Sequence, residues 1–304
     1  MVKKFVYGTP FETEAVVKEI PSSEGNPDYG TFSTENGSSF TTKLADEDMV
    51  FGLGEANRGI NKRGFLYISD CADDPNHVES KTSLYAAHNF IIISGKTHVG
   101  FFFDYPGTLR FDIGYTTSDT MTVSCENADL YVYMITGDSD LDIVKQFRGI
   151  IGRSYIAPKF AFGYGQSRWG YKTEDDFRTV VKKYRENHVP LDMVYMDIDY
   201  MQDYKDFTVN EERFPDFEGF VQDMKKEKIH LVPIIDAGVK VEKDYDIYEE
   251  GCEKGYFCRV RMDPTSKLLY GRLDSFPGCL KCRCQKMVCD NTMFSFPRNR
   301  CLLE

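Results

Sequence analysis

The chain lacks several features that would assign it to common functional classes. Its 304 residues include 37 Lys and Arg against 48 Asp and Glu, a net charge of −11. A basic surface for nucleic acid or an anionic membrane is therefore not expected. No apolar stretch approaches the roughly 20 residues that span a bilayer. The N-terminal segment MVKKFVYGTPFETEAVVKEI has no apolar core of a signal peptide. We expect a cytoplasmic protein with neither nucleic acid nor membrane as a partner.

Motifs for phosphate groups and metals are also scarce. There is no Gly-rich phosphate loop, and the first 257 residues carry three widely spaced cysteines, Cys71, Cys125 and Cys252. We therefore expect no cofactor and no metal. What the chain does have is 41% hydrophobic and 14% aromatic residues, ample for a sizeable core. Its length allows one large domain or two ordinary ones, and the sequence leaves the oligomeric state open.

The hydrophobic pattern changes part-way along the chain. Residues 24–136 contain short β-branched and aromatic runs, among them NFIIIS, HVGFFFDY and DLYVYMI, separated by turn residues. This pattern predicts an antiparallel β-sandwich, and we assign residues 1–155 to it. A helix is predicted from Asp138 to Ile151 at its end.

From Pro158 onward, strands and helices are predicted to alternate. The runs FAFGYGQ (160–166), DMVYMDID (192–199) and IHLVPIID (229–236) read as strands. Apolar residues at helical spacing follow a capping box at Thr173 and an N-cap at Asp216, and a further helix is predicted over roughly 243–251. A β-α-β-α-β order with nearly continuous apolar strands is typical of a parallel sheet covered by helices. The predicted fold class is an all-β sandwich followed by α/β.

Each predicted parallel strand ends in residues capable of chemistry. The first leads to Arg168 and Trp169, the second to Asp197 and Asp199, and the third to Asp236. Sites in parallel α/β folds lie at these carboxyl ends. An acid there can also be a helix cap or a turn former. Carboxylates beside a tryptophan suit a polyhydroxylated ring, because they accept hydrogen bonds from hydroxyls while the aromatic face packs on C–H groups. A Mg²⁺ site is the alternative.

Several motifs in this region carry a specific resemblance. GQSRWGY, MDIDYM, DFTVNEERFPDF and IIDAGV occur in that order, preceded by FGLGEANRGINKRG and FFFDYPG. Together they resemble glycoside hydrolase family 31, and bacterial α-glucosidases within it, over residues 1 to about 257. The resemblance implies a galactose-mutarotase-like β-sandwich, then a (β/α)8 TIM barrel. It also implies retaining cleavage of terminal α-linked glucose, with α-glucosides or small oligosaccharides as substrates.

The same resemblance implies a set of substrate-binding residues. Asp197 would bind hydroxyls of the sugar, Ile198 would line the pocket, and Asp236 would be a second acid on its wall. Trp169 would shape the pocket, and Asp73 in the CADDPNH loop would reach over the barrel mouth. The alternatives are a core position for Ile198, a packing role for Trp169 and a turn role for Asp73.

The catalytic carboxylates themselves are missing. A retaining glycosidase needs two carboxyl groups about 5 Å apart. Asp197 and Asp199, two residues apart on one strand, are predicted to point the same way and so cannot flank a glycosidic bond. The W-N-D-M-N-E-P motif of the family is not present. We assign no catalytic residue. Residues 156–257 are predicted to supply only the first three βα units of the barrel, and the chain is predicted to be inactive. A non-catalytic carbohydrate-binding protein is the alternative.

Residues 258–304 differ in composition from the rest. They hold six of the nine cysteines, and nine Lys and Arg against four Asp and Glu. We interpret this segment as an unrelated tail, either read from a shifted frame or disordered, with a genuine short protein as the alternative. A zinc module is a third interpretation, but its four thiols, Cys279, Cys282, Cys284 and Cys289, are closer together than zinc sites usually require. A disulfide framework would need an oxidising compartment.

Overall fold

The computed structural model describes residues 1–35, 38–71, 74–235, 239–254 and 256. Within this part, the chain divides into two compact units, the first ending at Ser154 and the second beginning at Tyr155. None of the helices in the described ranges has the length and apolar character needed to cross a lipid bilayer.

The first unit contains two five-stranded antiparallel sheets. One has the order β1-β10-β7-β6-β4 and the other the order β2-β3-β9-β8-β5. The strands are β1 (Val2–Tyr7), β2 (Thr31–Ser33), β3 (Ser38–Lys43), β4 (Met49–Gly52), β5 (Phe65–Ser69), β6 (Phe90–Ser94), β7 (His98–Asp104), β8 (Leu109–Ile113), β9 (Thr120–Cys125) and β10 (Leu130–Gly137).

Alternating apolar side chains join the two sheets into one core. The ring of Phe40 on β3 lies 5.0 Å from that of Phe101 and 5.3 Å from that of Phe103, both on β7 of the other sheet. Phe103 also meets Phe111 of β8 at 5.8 Å, and all four rings are buried. The period-2 pattern of the strands therefore produces the face-to-face arrangement expected of a sandwich.

A helix covers the outer face of the first sheet. Helix α1 spans Asp140–Ile151 and begins after Ser139, whose side chain accepts a hydrogen bond from the amide of Asp142. It starts two residues later than predicted because Ser139 acts as the N-cap. Phe147 stacks on Phe90 of β6 with ring centroids 3.9 Å apart.

A buried lysine organises the loop between β4 and β5. Lys62 is 4% exposed, and its Nζ donates hydrogen bonds to the carbonyls of Ala56 (3.1 Å), Asn57 (3.1 Å) and Gly59 (2.6 Å). Burial lowers the pKa of this amine. All three donors of the ammonium group are thus used to hold one loop.

The second unit contains a parallel sheet of three described strands in the order β11-β12-β13. The α/β alternation predicted from the sequence is confirmed. The elements are β11 (Gly165–Gln166), α2 (Glu174–Glu186), β12 (Met193–Met196), α3 (Phe217–Lys226), β13 (His230–Pro233) and α4 (Asp246–Lys254).

The predicted strand over 160–166 is wrong in its first half. Residues Lys159–Phe162 form a 3-10 turn, in which the amides of Ala161 and Gly163 bond the carbonyls of Pro158 and Phe160. The alternation of Phe with small residues imitates a strand, but Phe162 faces solvent. Pro158, fixed near φ −62°, begins the turn.

The helices pack on one face of this sheet as their spacing predicts. Phe177 and Val181 of α2, with Phe220 and Met224 of α3, are buried. They form one core cluster that includes Val194 on β12. The predicted capping box is present, because Thr173 accepts from the amide of Asp176 and the Asp176 carboxylate accepts from the amide of Thr173.

Candidate functional site

The carboxyl end of β12 presents Asp197. The strand ends at Met196, and Asp197 caps a 3-10 turn over Ile198–Tyr200, its Oδ1 accepting from the Ile198 amide at 2.8 Å. Asp197 and Ile198 are both partly exposed. An acid in this position can keep one oxygen on its own backbone and offer the other to a ligand.

Asp199, unlike Asp197, is buried. It is 2% exposed, and Arg213 donates both to its carbonyl (2.7 Å) and to its Oδ1 (3.3 Å). The expectation that Asp197 and Asp199 lie on one strand is wrong, because the strand ends at Met196 and Asp199 lies in the 3-10 turn over Ile198–Tyr200. Asp199 is therefore an ion-pair partner inside the second unit, and its burial keeps it from a sugar.

Trp169 follows the neighbouring strand. β11 ends at Gln166, and three residues later the Trp169 side chain is 73% exposed. β11 and β12 are adjacent and parallel, so Trp169 and Asp197 both follow the carboxyl ends of paired strands. A tryptophan this exposed does not fill the core of the described residues, and its role toward a ligand stays a prediction.

Sequence reasoning missed a tyrosine cluster that fixes the end of β11. The Oε1 of Gln166 accepts from the hydroxyls of Tyr164 (3.0 Å) and Tyr184 (2.6 Å), and its Nε2 donates to the Tyr171 hydroxyl (3.1 Å). The hydrogen bond with Tyr164 raises the pKa of Tyr184 to about 12. These contacts orient the chain that leads to Trp169. The one signal in the sequence is the density of aromatic residues around Gln166.

Side-chain contacts between described residues tie the segment after β12 to the segment after β13. The Tyr200 hydroxyl donates to the carbonyl of Ile234 at 2.9 Å. The Tyr245 hydroxyl donates to the carbonyl of Asp206 at 2.7 Å. Lys205 and Glu242 form an ion pair at 2.9 Å. The surroundings of Asp197 are thus connected to residues that follow the third strand.

The Glu242 carboxylate is held by two lysines. Hydrogen bonds from Lys240, at 2.6 Å, and from Lys205 lower its pKa to about 2. Glu242 is therefore charged at neutral pH and serves as an ionic tie, not as an acid in chemistry.

Other predicted residues and segments fall outside the described part. Asp73 and Asp236 lie there, as does the whole segment 258–304, so their roles stay predictions. Within the described ranges, no group of three or more His, Cys, Asp or Glu side chains is arranged to hold a metal ion.

Comparison with known proteins decides the family. The model of the glycosyl hydrolase family 31 N-terminal galactose mutarotase-like domain matches residues 11–112, and that of the family 31 TIM-barrel domain matches residues 154–291. The chain belongs to glycoside hydrolase family 31. The match to the barrel model extends to residue 291, beyond residue 257, where the sequence predicts that the resemblance ends. A domain boundary at residue 257 stays a prediction.

Among curated relatives, alpha-glucosidase 2 of Bacillus thermoamyloliquefaciens is 36% identical over 222 residues, which are 71% of this chain and 28% of that protein. The alpha-glucosidase of Saccharolobus solfataricus is 25% identical over 282 residues, which are 91% of this chain and 40% of that protein. The chain therefore spans well under half the length of these two relatives.

Solved structures of family 31 members share the fold. The α-glucosidase of Bacteroides thetaiotaomicron has a TM-score of 0.71 at 22% identity, covering 84% of this chain and 44% of that one. The Flavobacterium johnsoniae dextranase, in complex with glucose, has a TM-score of 0.65 at 24% identity and covers 74% of this chain and 28% of that one.

Proposed function

We propose that this chain belongs to an α-glucosidase, and that it contributes the part of the site that binds terminal α-linked glucose. Two observations support this. A curated relative with 36% identity is an alpha-glucosidase. The described residues also present a partly exposed carboxylate and an exposed tryptophan after adjacent parallel strands.

The position of Asp197 carries the proposal. Its Oδ1 is held by the Ile198 amide, which fixes the carboxylate at the end of β12. Such a group accepts hydrogen bonds from vicinal sugar hydroxyls without reorganising. Ile198 would line the pocket beside it, and Trp169 would pack on the C–H face of the ring. By family resemblance, Asp236 and Asp73 would complete the pocket.

The 304 residues do not include a catalytic pair that we can identify. Retaining cleavage requires a nucleophile and an acid/base about 5 Å apart. Asp197 has the binding role in this proposal, and Asp199 is buried against Arg213. We therefore propose that this chain by itself does not hydrolyse α-glucosides. Turnover of a chromogenic α-glucoside at about 1 s⁻¹ or more, abolished in Asp197→Ala, would contradict this.

The sugar-binding role can be tested with the one tryptophan of the chain, Trp169. Titration with glucose should change the Trp169 fluorescence saturably. Asp197→Asn should weaken the affinity measured in this titration at least about tenfold, as expected when a charged acceptor is lost. Asp175→Asn, which changes an exposed acid at the start of α2, is the matched control and should bind like the original chain. An equal response in Asp197→Asn would refute the assignment.

A non-catalytic carbohydrate-binding protein is the second candidate. It is favoured by the same observation, an acid presented for binding without a catalytic partner among the described residues. Saturable glucose binding through Asp197 by a stable, monomeric 304-residue chain would support it. If a longer product of the same gene hydrolyses α-glucosides, the enzyme proposal is correct.

A further inference from the structure

The first unit contains a cleft that the proposed barrel site does not use. It has a volume of about 540 Å³ and lies on the outer face of the sheet that includes β1, β10 and β7, beside residues 12–22. We call it the outer-sheet cleft and define it by Lys4, Glu12, Asp104 and Tyr133, four of the residues that line it. Its volume falls within the roughly 300–1,000 Å³ of small-molecule sites.

Two donor groups in this cleft have no hydrogen-bond acceptor in the part of the chain that the structure describes. The Tyr133 side chain is 2% exposed, yet its hydroxyl has no hydrogen-bond partner among the described residues. Within the same part of the chain, the Lys4 ammonium forms no hydrogen bond or ion pair. It lies 4.0 Å from the ring centroid of Tyr131 and 5.9 Å from that of Tyr133. Both groups line the cleft, so each can donate there to a ligand or to water.

Acceptors stand next to these donors. Asp104 is 6% exposed, and its Oδ1 accepts from the Thr13 hydroxyl at 2.6 Å. Glu12 accepts from the Tyr131 hydroxyl through Oε1. The second oxygen of each carboxyl group has no hydrogen-bond partner in the described ranges. Burial raises the pKa of Asp104, so a hydroxyl donor would meet a carboxyl group that is poorly hydrated.

The lining decides the class of ligand. Four acids, Glu12, Glu14, Glu19 and Asp104, outnumber the two lysines, Lys4 and Lys18, which disfavours an anion. No metal-binding cluster of His, Cys, Asp and Glu occurs in the part of the chain that the structure describes. Donors and acceptors in close alternation suit a neutral molecule that offers both. We propose that the outer-sheet cleft binds a neutral, hydroxyl-rich ligand of the size of a mono- or disaccharide.

The test uses the full 304-residue chain with Asp197→Asn, which weakens binding at the proposed barrel site at least about tenfold. Saturation-transfer NMR with maltose and with glucose should show saturable binding in this background. Adding Tyr133→Phe or Lys4→Met should weaken binding about fivefold or more, because each removes a donor group. Lys3→Met is the matched control, since neighbouring residues of a strand point to opposite faces and Lys3 already pairs with Asp28 at 2.7 Å.

Each outcome bears on the proposal. No saturable binding of either sugar up to about 50 mM, well beyond the millimolar range of weak ligands, would refute it. Binding unchanged by both Tyr133→Phe and Lys4→Met would refute it as well. If Tyr133→Phe fails to fold, as judged by circular dichroism, Lys4→Met decides, because Lys4 is only partly buried. Tyr133→Phe and Lys4→Met should leave the glucose titration of Trp169 fluorescence unchanged in the original chain, which separates this cleft from the barrel site.

Discussion

Replacing Lys62 with methionine should destabilise the first unit strongly, although the two side chains have similar length. The methionine can occupy the buried channel of the lysine stem. It cannot donate to the carbonyls of Ala56, Asn57 and Gly59, which the ammonium group now satisfies. The loop between β4 and β5 would lose its central attachment.

The magnitude follows from these three bonds. A hydrogen bond in a protein contributes a net of roughly 0.5–1.5 kcal/mol, and more when one partner is charged. Parts of the loop are partly exposed, so water can replace some of the lost bonds. We therefore expect a loss of about 2–4 kcal/mol in the free energy of unfolding, a large fraction of the roughly 5–15 kcal/mol that stabilises a typical domain.

Urea unfolding followed by far-ultraviolet circular dichroism measures this loss. With an m-value of about 1–3 kcal/mol per molar, the midpoint should fall by about 1 M or more. Lys96→Met is the control, because its side chain is 88% exposed and pairs with Glu47 on the surface, so its midpoint should stay close to that of the original chain. A Lys62→Met midpoint equal to that of the control would refute the reasoning.

Three further predictions concern a helix cap, an acid and a thiol. Thr173→Ala should lower the stability of helix α2, measured by hydrogen exchange, by about 0.5–2 kcal/mol. Thr179→Ala, on the exposed face of the same helix, should lower it little. Equal protection of α2 in the two variants would refute a capping role for Thr173. Between pH 4.5 and about 2, the chain should lose the stability that Glu242 supplies. A carboxyl group with a lowered pKa stabilises the fold above its ordinary pKa and ceases to do so when it is protonated. Glu242→Gln should therefore remove that part of the acid unfolding transition. Burial raises the pKa of Cys125 to about 11, so peptide mapping after thiol labelling at pH 8 should show exposed Cys71 modified at least about tenfold faster, and equal rates would be contrary evidence.

Local patterns in the sequence were sufficient to predict most of the secondary structure of the second unit. Helices α2 and α3 begin where the capping residues Thr173 and Asp216 indicate, and their buried residues follow the apolar spacing. The end of β12 at Met196 was not predictable in the same way. It depends on the turn that Asp197 caps and on Arg213, which reaches Asp199 from 14 residues away.

In the candidate site too, some features are predictable from local sequence patterns and others depend on contacts between distant residues. The sequence indicates that Asp197 and Trp169 follow adjacent strands, because the strand order is simple. It does not indicate that Asp199 is buried, or that Gln166 is enclosed by tyrosines, since Tyr184 belongs to a helix 18 residues further on. Contacts between side chains distant in sequence carry no periodic signal.

The ties between the segments after β12 and β13 bear on how this protein can change over generations. Tyr245 touches the backbone at Asp206, and Tyr200 touches it at Ile234, so neither hydroxyl needs to meet a sugar to influence Asp197. A substitution at Tyr245, in the segment after β13, would alter the position of the segment after β12 that contains Asp206. If the proposed sugar site at Asp197 is correct, preference among glycosidic linkages can therefore drift through residues outside it, and two homologues with identical site residues need not favour the same substrate.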